Sequence, residues 1–563
     1  MSSADSEIPE SPLAAATSLM GTEDTDFEHR MLDIPERGWE GWWVALSEKV
    51  NPIVIKELRQ SLKSRQFTMS FGLTLIAAVG WTLLAISLTV PRIYYAPGGP
   101  TLLAGYFIIL ILPLMVILPF SAFRSLSAET EESTFELLSI SALSAQQIVY
   151  GKMASAMLQL VLYLSAIAPC IVLTYLLRGL SIFTILFLLG LTIVFSVCET
   201  ALALLFAAIG HTRLVQGIVS VIVLAGLLVG AFGWTGVLMN APITEFVNPS
   251  QEMYIGLFAG GTVIALAISL VLRAAAAAID FPSENHSTPL RLRIFGLTTL
   301  STFWMIFLIF ASEDFSYGNW TVCIAFILLM FCGALITGEY GVISPRSQRT
   351  LPKTFAGRVL LTWLYPGAGL GYVFVVVLFA GMALTFSGIE LGFSRDNRNG
   401  DFSVSITSAF LLCYMIIYLG IGRLLFLLIP KSTPTRMLGS LTFTIVMLVF
   451  GHLLPLLIMS IAQNFRDIDY KWHQFSNVIW TVVQAQDELA GSNVIQIDPF
   501  SQDIGVSLVI VTLCAALIFG LNLLLSTRDV LLVRISAPPR VREEVGAEET
   551  PEPSPEDPFA PES

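Results

Sequence analysis

Twelve apolar runs, spaced by short polar joints, restrict this chain more than any other feature. The first six are Phe67 to Val90, Leu102 to Phe123, Met153 to Leu176, Ile182 to Ile209, Leu214 to Leu238 and Tyr254 to Leu272. The next six are Ile294 to Ala311, Trp320 to Ile336, Gly371 to Phe386, Val404 to Leu425, Leu438 to Ile461 and Ile504 to Leu525. A helix crosses the hydrocarbon of a bilayer in roughly 17–25 residues, and each run meets or borders on that length. The chain is 55% hydrophobic and 13% charged, whereas a soluble domain carries about 25% charged residues. So little polar surface cannot clothe 563 residues in water. The expectation is an all-α polytopic membrane protein with twelve transmembrane helices in two six-helix halves.

The net charge of -12 is a property of the ends. Residues 1–36 hold nine acidic groups and one Arg, and residues 538–563 hold eight acidic groups and two Arg, so the rest is slightly positive. Residues 1–44 and the Pro- and Glu-rich residues 534–563 lack an apolar core and are expected to be disordered cytoplasmic tails. The first of them is too polar and acidic to be a cleaved secretory signal. Trp39, Trp42 and Trp43 then mark the approach to a membrane interface, where indoles settle. With the amino terminus inside, 24 Lys and Arg fall on the cytoplasmic side and 6 on the other. Inverting the chain would reverse that excess, so both termini are expected in the cytoplasm.

A division falls at the polar, Pro-containing joint between the sixth and seventh runs, giving membrane domains at 45–290 and 291–533. Ahead of the first run, residues 51–66 read as a helix opened by Asn51 and Pro52. Ile55, Leu58 and Leu62 share one face, and Lys56, Arg59 and Lys63 another, with Glu57 beside Lys56. That pattern suits a helix lying in the membrane plane, either pressing on a partner or simply anchored to anionic headgroups. Between the second and third runs, residues 124–152 are too charged to stay in hydrocarbon. Ser133 with Glu136, and Ser144 with Gln147, read as capping boxes opening two small helices at the surface.

Glu129, Thr134, Glu136, Leu137, Leu138, Leu143, Ser144, Ile148, Gly151 and Lys152 form a pattern that resembles the loop between the second and third spans of type-2 ABC exporter permeases. Ala142 stands where that family usually has Pro, and the likeness covers roughly Asn51 to Leu290. The resemblance implies that this loop is a coupling helix seated on a separate, dimeric cytoplasmic ATPase, and that the NPIVIKELR helix presses on the same partner. ATP and Mg would belong to that partner. A second permease or a second copy of this chain, and membrane lipids, are further expected partners; no nucleic acid is. The implied setting is a bacterial inner membrane. The second half carries no copy of the loop: Glu339 to Arg358 is basic, leaving open a diverged repeat or an added domain.

The chain's own residues offer little covalent chemistry. No G-x-x-x-x-G-K-[ST] loop is present, so ATP is not cradled here by that means. Gly367-Ala368-Gly369-Leu370-Gly371 follows no strand and reads as a helix break or close packing. Six cysteines lie in the apolar runs without C-x-x-C spacing, and five histidines lack metal-ligand spacing, so neither disulfide nor metal is expected.

Glu199 and His452 are the candidate pathway residues, because ionisable groups at membrane depth usually face a cavity or a partner. Each also has a bland reading, a protonated Glu199 bonded to Ser196 or to a neighbouring helix, and a packing His452. Arg423 is expected to snorkel to the cytoplasmic surface. The pairs Gly226 with Gly230 and Gly256 with Gly260 permit close helix contact within the chain or between copies. In the long external segment 462–503, Trp472, Phe475, Val478, Ile479 and Val482 recur at helical spacing and predict a lid on the outer surface.

The sequence thus points to the permease subunit of an ATP-driven exporter and not to an enzyme. A twelve-span ion- or proton-coupled carrier and a non-transporting scaffold are the alternatives. The topology has a direct check. In spheroplasts a membrane-impermeant maleimide is expected to label a cysteine placed at Ser492 and to spare one placed at Ser563; the reverse pattern inverts the chain.

Overall fold

The structure is a computed structural model and describes residues 52–90, 95, 97–131, 144–177, 179–210, 213–240, 251–280, 285–312, 316–339, 362–396, 403–427, 436–462, 470–491 and 502–535. The expected acidic tails, apart from residues 534 and 535, lie outside them, as do Trp39, Trp42 and Trp43. Among the described residues the fold is all-helical. Helix α1 (Pro52–Leu62) precedes the first span, α2 (Arg65–Thr89). Helix α3 runs from Gly99–Ile111 through a π turn at Leu112–Ile117 into Leu118–Glu131. Then come α4 (Ala145–Leu176), α5 (Ile182–Ile209), α6 (Arg213–Asn240) and α7 (Gln251–Ile279). The second series is α8 (Ser287–Ser312), α9 (Ser316–Ile336), α10 (Ala368–Asp396), α11 (Ser403–Phe426) and α12 (Arg436–Ala462). Helix α13 (Val478–Gly491) and α14 (Gln502–Ile535) complete it.

Twelve of these, all but α1 and α13, are long and apolar enough to cross a membrane, and this is an integral membrane protein. Spans outrun the apolar runs that signal them, because a helix continues through polar residues until something caps it. So α3 extends to Glu131, and Ser144 with Gln147 forms a capping box that opens α4 itself, not a separate surface helix. Gly151 and Lys152 therefore stand on a span. Two hydrophobic clusters form, one from Ala78 to Ile279 and the other from Ile294 to Val511. They meet where α7 packs on α8, tied by Trp304 Nε1 donating to Thr262 Oγ1 (2.9 Å) and Arg293 Nε to Ser269 Oγ (3.1 Å).

Segment 470–491 departs from the expected surface lid. It has a 3₁₀ turn at Trp472–Gln474 and then α13, and its middle reaches into the bundle. The Tyr414 hydroxyl donates to the carbonyl of Phe475 (2.5 Å) and that of Tyr418 to the carbonyl of Ser476 (2.7 Å). Tyr414 stands eleven residues into α11, so the contact lies about 16 Å below that end of the helix at 1.5 Å per residue. Val478 and Val482 join the second core and Phe475 packs against it, while Trp472 and Ile479 of the same apolar spacing stay exposed. Ser476 Oγ and Asn477 Nδ2 donate to the carbonyls of Gly451 and His452 on α12. Irregular backbone survives at that depth because its peptide groups are met by protein.

Arg423 does not snorkel. It is 1% exposed, and its Nη1 donates to the Asn522 carbonyl (3.0 Å), Asn522 Oδ1 (3.0 Å) and Ser526 Oγ (2.9 Å) of α14. These acceptors inside the bundle hold the guanidinium against the pull of the interface. A second buried guanidinium orders the start of α10. Arg291 of α8, fully buried, donates to the carbonyls of Trp363 (2.9 Å), Tyr365 (2.5 Å) and Gly367 (3.2 Å) and to Glu339 Oε2 (2.5 Å). Ser287 Oγ also donates to Glu339. Gly367 has φ 148°, a conformation that favours glycine, and its carbonyl receives the Gly371 N–H at the first turn of α10 (2.9 Å). The glycine-rich stretch is a helix start.

Removing one partner of a buried ion pair costs about 3–5 kcal/mol, while replacing both by apolar groups is often neutral. That neutral exchange is not open here, because Arg291 also serves the carbonyls of Trp363, Tyr365 and Gly367. Glu339→Leu is expected to lower the unfolding midpoint in detergent, and Arg291→Met with Glu339→Leu to lower it at least as far; recovery in the double variant would overturn this.

Candidate functional site

Helix α1 sits on α4, with Val54 buried and Lys56, Arg59 and Lys63 exposed. Ser64 separates it from α2 and caps the latter by accepting the Phe67 N–H (3.1 Å). The amphipathic reading of residues 51–66 thus holds for three of its four named polar residues, which face outward. The fourth, Glu57, is turned in.

Glu57 meets Lys152 at the first turns of α4 and Ser125 and Glu129 at the end of α3. Lys152 is 1% exposed, and its ammonium donates to Glu57 Oε1 (3.0 Å) and Ser125 Oγ (2.7 Å) and pairs with Glu129 Oε1 (3.0 Å). An ammonium has three N–H donors, and here each has an acceptor. Ser125 Oγ in turn donates a hydrogen bond to Glu57 Oε2 (3.0 Å), which closes a ring of bonds across three elements. At 3 Å and an effective dielectric constant near 20, each ion pair is worth roughly 5 kcal/mol in Coulomb energy, set against a desolvation cost of several kcal/mol per ion. The pairing therefore roughly balances the burial of Lys152. Its effect is positional: α1, α3 and α4 are fixed to one another at one end of the bundle. Gln216 Nε2 of α6 adds a tie, donating to the Ser127 carbonyl (3.0 Å) and to that of Gly210 (3.0 Å).

Beside the ring opens a cleft of about 780 Å³ between α1, α2, α3 and α4. Gln60, Ser121, Ser155, Gln159 and Tyr163 give it polar walls, and Phe67, Ile117 and Leu118 apolar ones. Tyr163 closes its deep end, where its hydroxyl and that of Ser70 lie 2.6 Å apart. Ser125 Oγ is held between the Lys152 ammonium and the Glu57 carboxylate, which are themselves paired. The arrangement is a joint beside an amphipathic cavity.

The structure brings Glu57, Glu129 and Lys152 together and places Gly151, buried, one residue before the lysine. Thr134, Glu136, Leu137, Leu138 and Leu143 lie outside the described residues. Ser125 was not legible as a site residue, because its partners stand 68 and 27 positions away and leave no local pattern. The Arg291–Glu339 pair was missed for the same reason.

Glu199 and His452 stand on elements of different cores. His452 Nδ1 lies 2.5 Å from the Leu448 carbonyl one turn back on its own helix, as a packing histidine does. Glu199 is 8% exposed and has no ion pair among the described residues. Its expected partner Ser196 donates instead to the Leu114 carbonyl in the π turn of α3 (2.6 Å). Oε1 rests against Gly230 of α6, where a Cβ would collide with it, and Oε2 has no hydrogen-bond partner. An unmatched buried polar atom costs about 1–3 kcal/mol. Gly230 thus serves the close approach of a side chain, while Gly226, Gly256 and Gly260 have open space where a Cβ would lie.

No protein-family model, no curated protein and no solved structure matches this chain.

Because the ring holds α1 down, Lys152→Met is expected to loosen it. Limited trypsin digestion in detergent should then cut after Lys56 and Arg59 several times faster than in wild type, the direction expected when an uncompensated carboxylate is left behind. An unchanged rate would mean that apolar packing alone seats α1.

Proposed function

We propose that this chain is the membrane-spanning subunit of an ATP-driven exporter of the type-2 ABC class, and that hydrolysis on a separate cytoplasmic ATPase dimer reaches the spans through the Glu57–Ser125–Glu129–Lys152 ring. One observation carries this reading. Two elements that the sequence likeness assigns to ATPase contact, α1 and the start of the loop 124–152, which the end of α3 contains, are bonded to each other and to α4 through one buried ammonium. A displacement applied to either is therefore delivered to α4 without slack. Two flexible tethers would absorb it.

On this reading α1 and residues 132–143 lie on the cytoplasmic face with both termini, in a bacterial inner membrane. ATP and Mg are bound by the partner. This chain contributes levers and a path, and no covalent step. The cleft of about 780 Å³ beside the ring, lined by both polar and apolar side chains, suits an amphipathic cargo entering from the same side.

Affinity purification from the native cell in mild detergent tests the reading. Wild type is expected to retain an ATPase carrying a phosphate-binding loop, and a Glu136→Arg, Leu137→Asp variant that elutes as a single species is expected to lose it. Should wild type bring down no such ATPase, or the variant retain it, the assignment fails.

A further inference from the structure

The seam between the two cores is a pair of facing stripes. On α7, Thr262, Leu266, Ser269, Arg273 and Asp280 recur at helical spacing and share one face. Four of them meet α8 or the residue before it. Thr262 accepts from Trp304 and Ser269 from Arg293, Leu266 lies 3.5 Å from where a Cβ on Gly296 would stand, and Asp280 Oδ2 lies 3.8 Å from His286 Nδ1. The fifth, Arg273, falls between Ser269 and Asp280. Opposite that interval, Arg293 falls between Gly296 and His286. Two guanidinium groups thus occupy the same stretch of one seam.

Neither is met by an acid. Among the described residues no carboxylate pairs with Arg273 or Arg293, and Asp280, two turns along the stripe from Arg273, faces His286. Arg293 places Nε on Ser269 Oγ (3.1 Å) and Nη1 on the Pro289 carbonyl (3.1 Å), one turn nearer the start of α8. Arg273 Nε is buried without a hydrogen-bond partner. Both side chains are half-buried, and Leu292 and Phe295, which flank Arg293 on its helix, are 56% and 47% exposed, so the surrounding membrane reaches this edge of the seam. Like charges gathered without a carboxylate repel, and an anion between them removes that cost.

The level fits a phosphate. Leu272 ends the sixth apolar run and Ile294 begins the seventh, so each arginine is the residue next to hydrocarbon on its helix. Each stands six residues from the helix end, about 9 Å at 1.5 Å per residue. That is the border of the headgroup layer. A guanidinium fork matches the oxygens of a phosphate, and basic pockets between transmembrane helices hold anionic head groups.

We propose that Arg273 and Arg293 together hold the phosphate of an anionic phospholipid whose chains cover the α7–α8 seam and help join the two cores. The site is separate from the ring around Lys152 and needs no ATPase, so it stands or falls apart from the exporter reading.

The test titrates the full chain in dodecyl maltoside with phosphatidylglycerol or phosphatidylcholine and counts bound lipid by native mass spectrometry. Wild type is expected to take up its first phosphatidylglycerol about tenfold more tightly than phosphatidylcholine, whose phosphate is the same but is balanced by its own ammonium. Arg273→Gln breaks no hydrogen bond among the described residues. It is expected to weaken phosphatidylglycerol binding about tenfold, as loss of one charge-assisted hydrogen bond does, and to leave phosphatidylcholine unchanged. Arg65→Gln, at an exposed arginine that starts α2, is expected to change neither. Equal affinity of wild type for the two lipids would overturn the proposal. So would equal losses in the two variants, which mark diffuse attraction to a basic surface, and so would displacement of the lipid by an equal concentration of inorganic phosphate, which marks a simple ion site. The lipid preference and the phosphate competition use wild type alone and decide the matter even if a variant does not fold.

Discussion

A peptide group surrounded by hydrocarbon finds no water, and each one left unbonded costs several kcal/mol. Twelve of the described helices satisfy that demand within themselves over nearly all their length. The informative places are those where a helix cannot. In α3 the π turn around Pro113 exposes the Leu114 carbonyl, and Ser196 reaches across from α5 to bond it. At the start of α10 a single guanidinium gathers three carbonyls. In the segment before α13, two tyrosine hydroxyls do the same work for Phe475 and Ser476. The irregularities of this fold are tolerated because a side chain from another element completes each.

Buried charge obeys the same accounting with larger stakes. Lys152, Arg291 and Arg423 are each 0–1% exposed; Lys152 and Arg291 have acceptors drawn from two segments each, and Arg423 has three on α14. Glu390 is likewise matched, accepting the N–H groups of Val404 (2.9 Å) and Ser405 (2.7 Å) at the first turn of α11. Glu199 differs from all of them in having an oxygen with no partner. Every other deeply buried ionisable group named here fixes one element to another, whereas Glu199 keeps one buried oxygen unmatched against α6.

Much of the architecture was legible because hydrophobic length is a local property. The twelve apolar runs locate the twelve spans, and Ser144 with Gln147 marks the entry of α4, though with the helix it opens misjudged. Periodicity in segment 470–491 was read correctly as helical at Val478 and Val482 and wrongly as a surface element, since spacing reports an apolar face but not whether lipid or protein covers it. Arg423 was misjudged for a related reason: its three acceptors lie about a hundred residues away. The ring around Lys152 was half visible. Glu57, Glu129 and Lys152 were each singled out, but their meeting depends on how α1 folds back over α4, which no stretch of sequence states.

The contacts of Tyr414 and Tyr418 also bear on how well the protein insulates. Each phenol occupies a position at a peptide carbonyl, about 16 Å inside the bundle for Tyr414, that water would otherwise take. A file of waters reaching that depth would shorten the hydrocarbon barrier and give protons a conductor. The two hydroxyl groups thus allow an element with broken helical backbone to sit within the bundle while its carbonyls are met by protein in place of water.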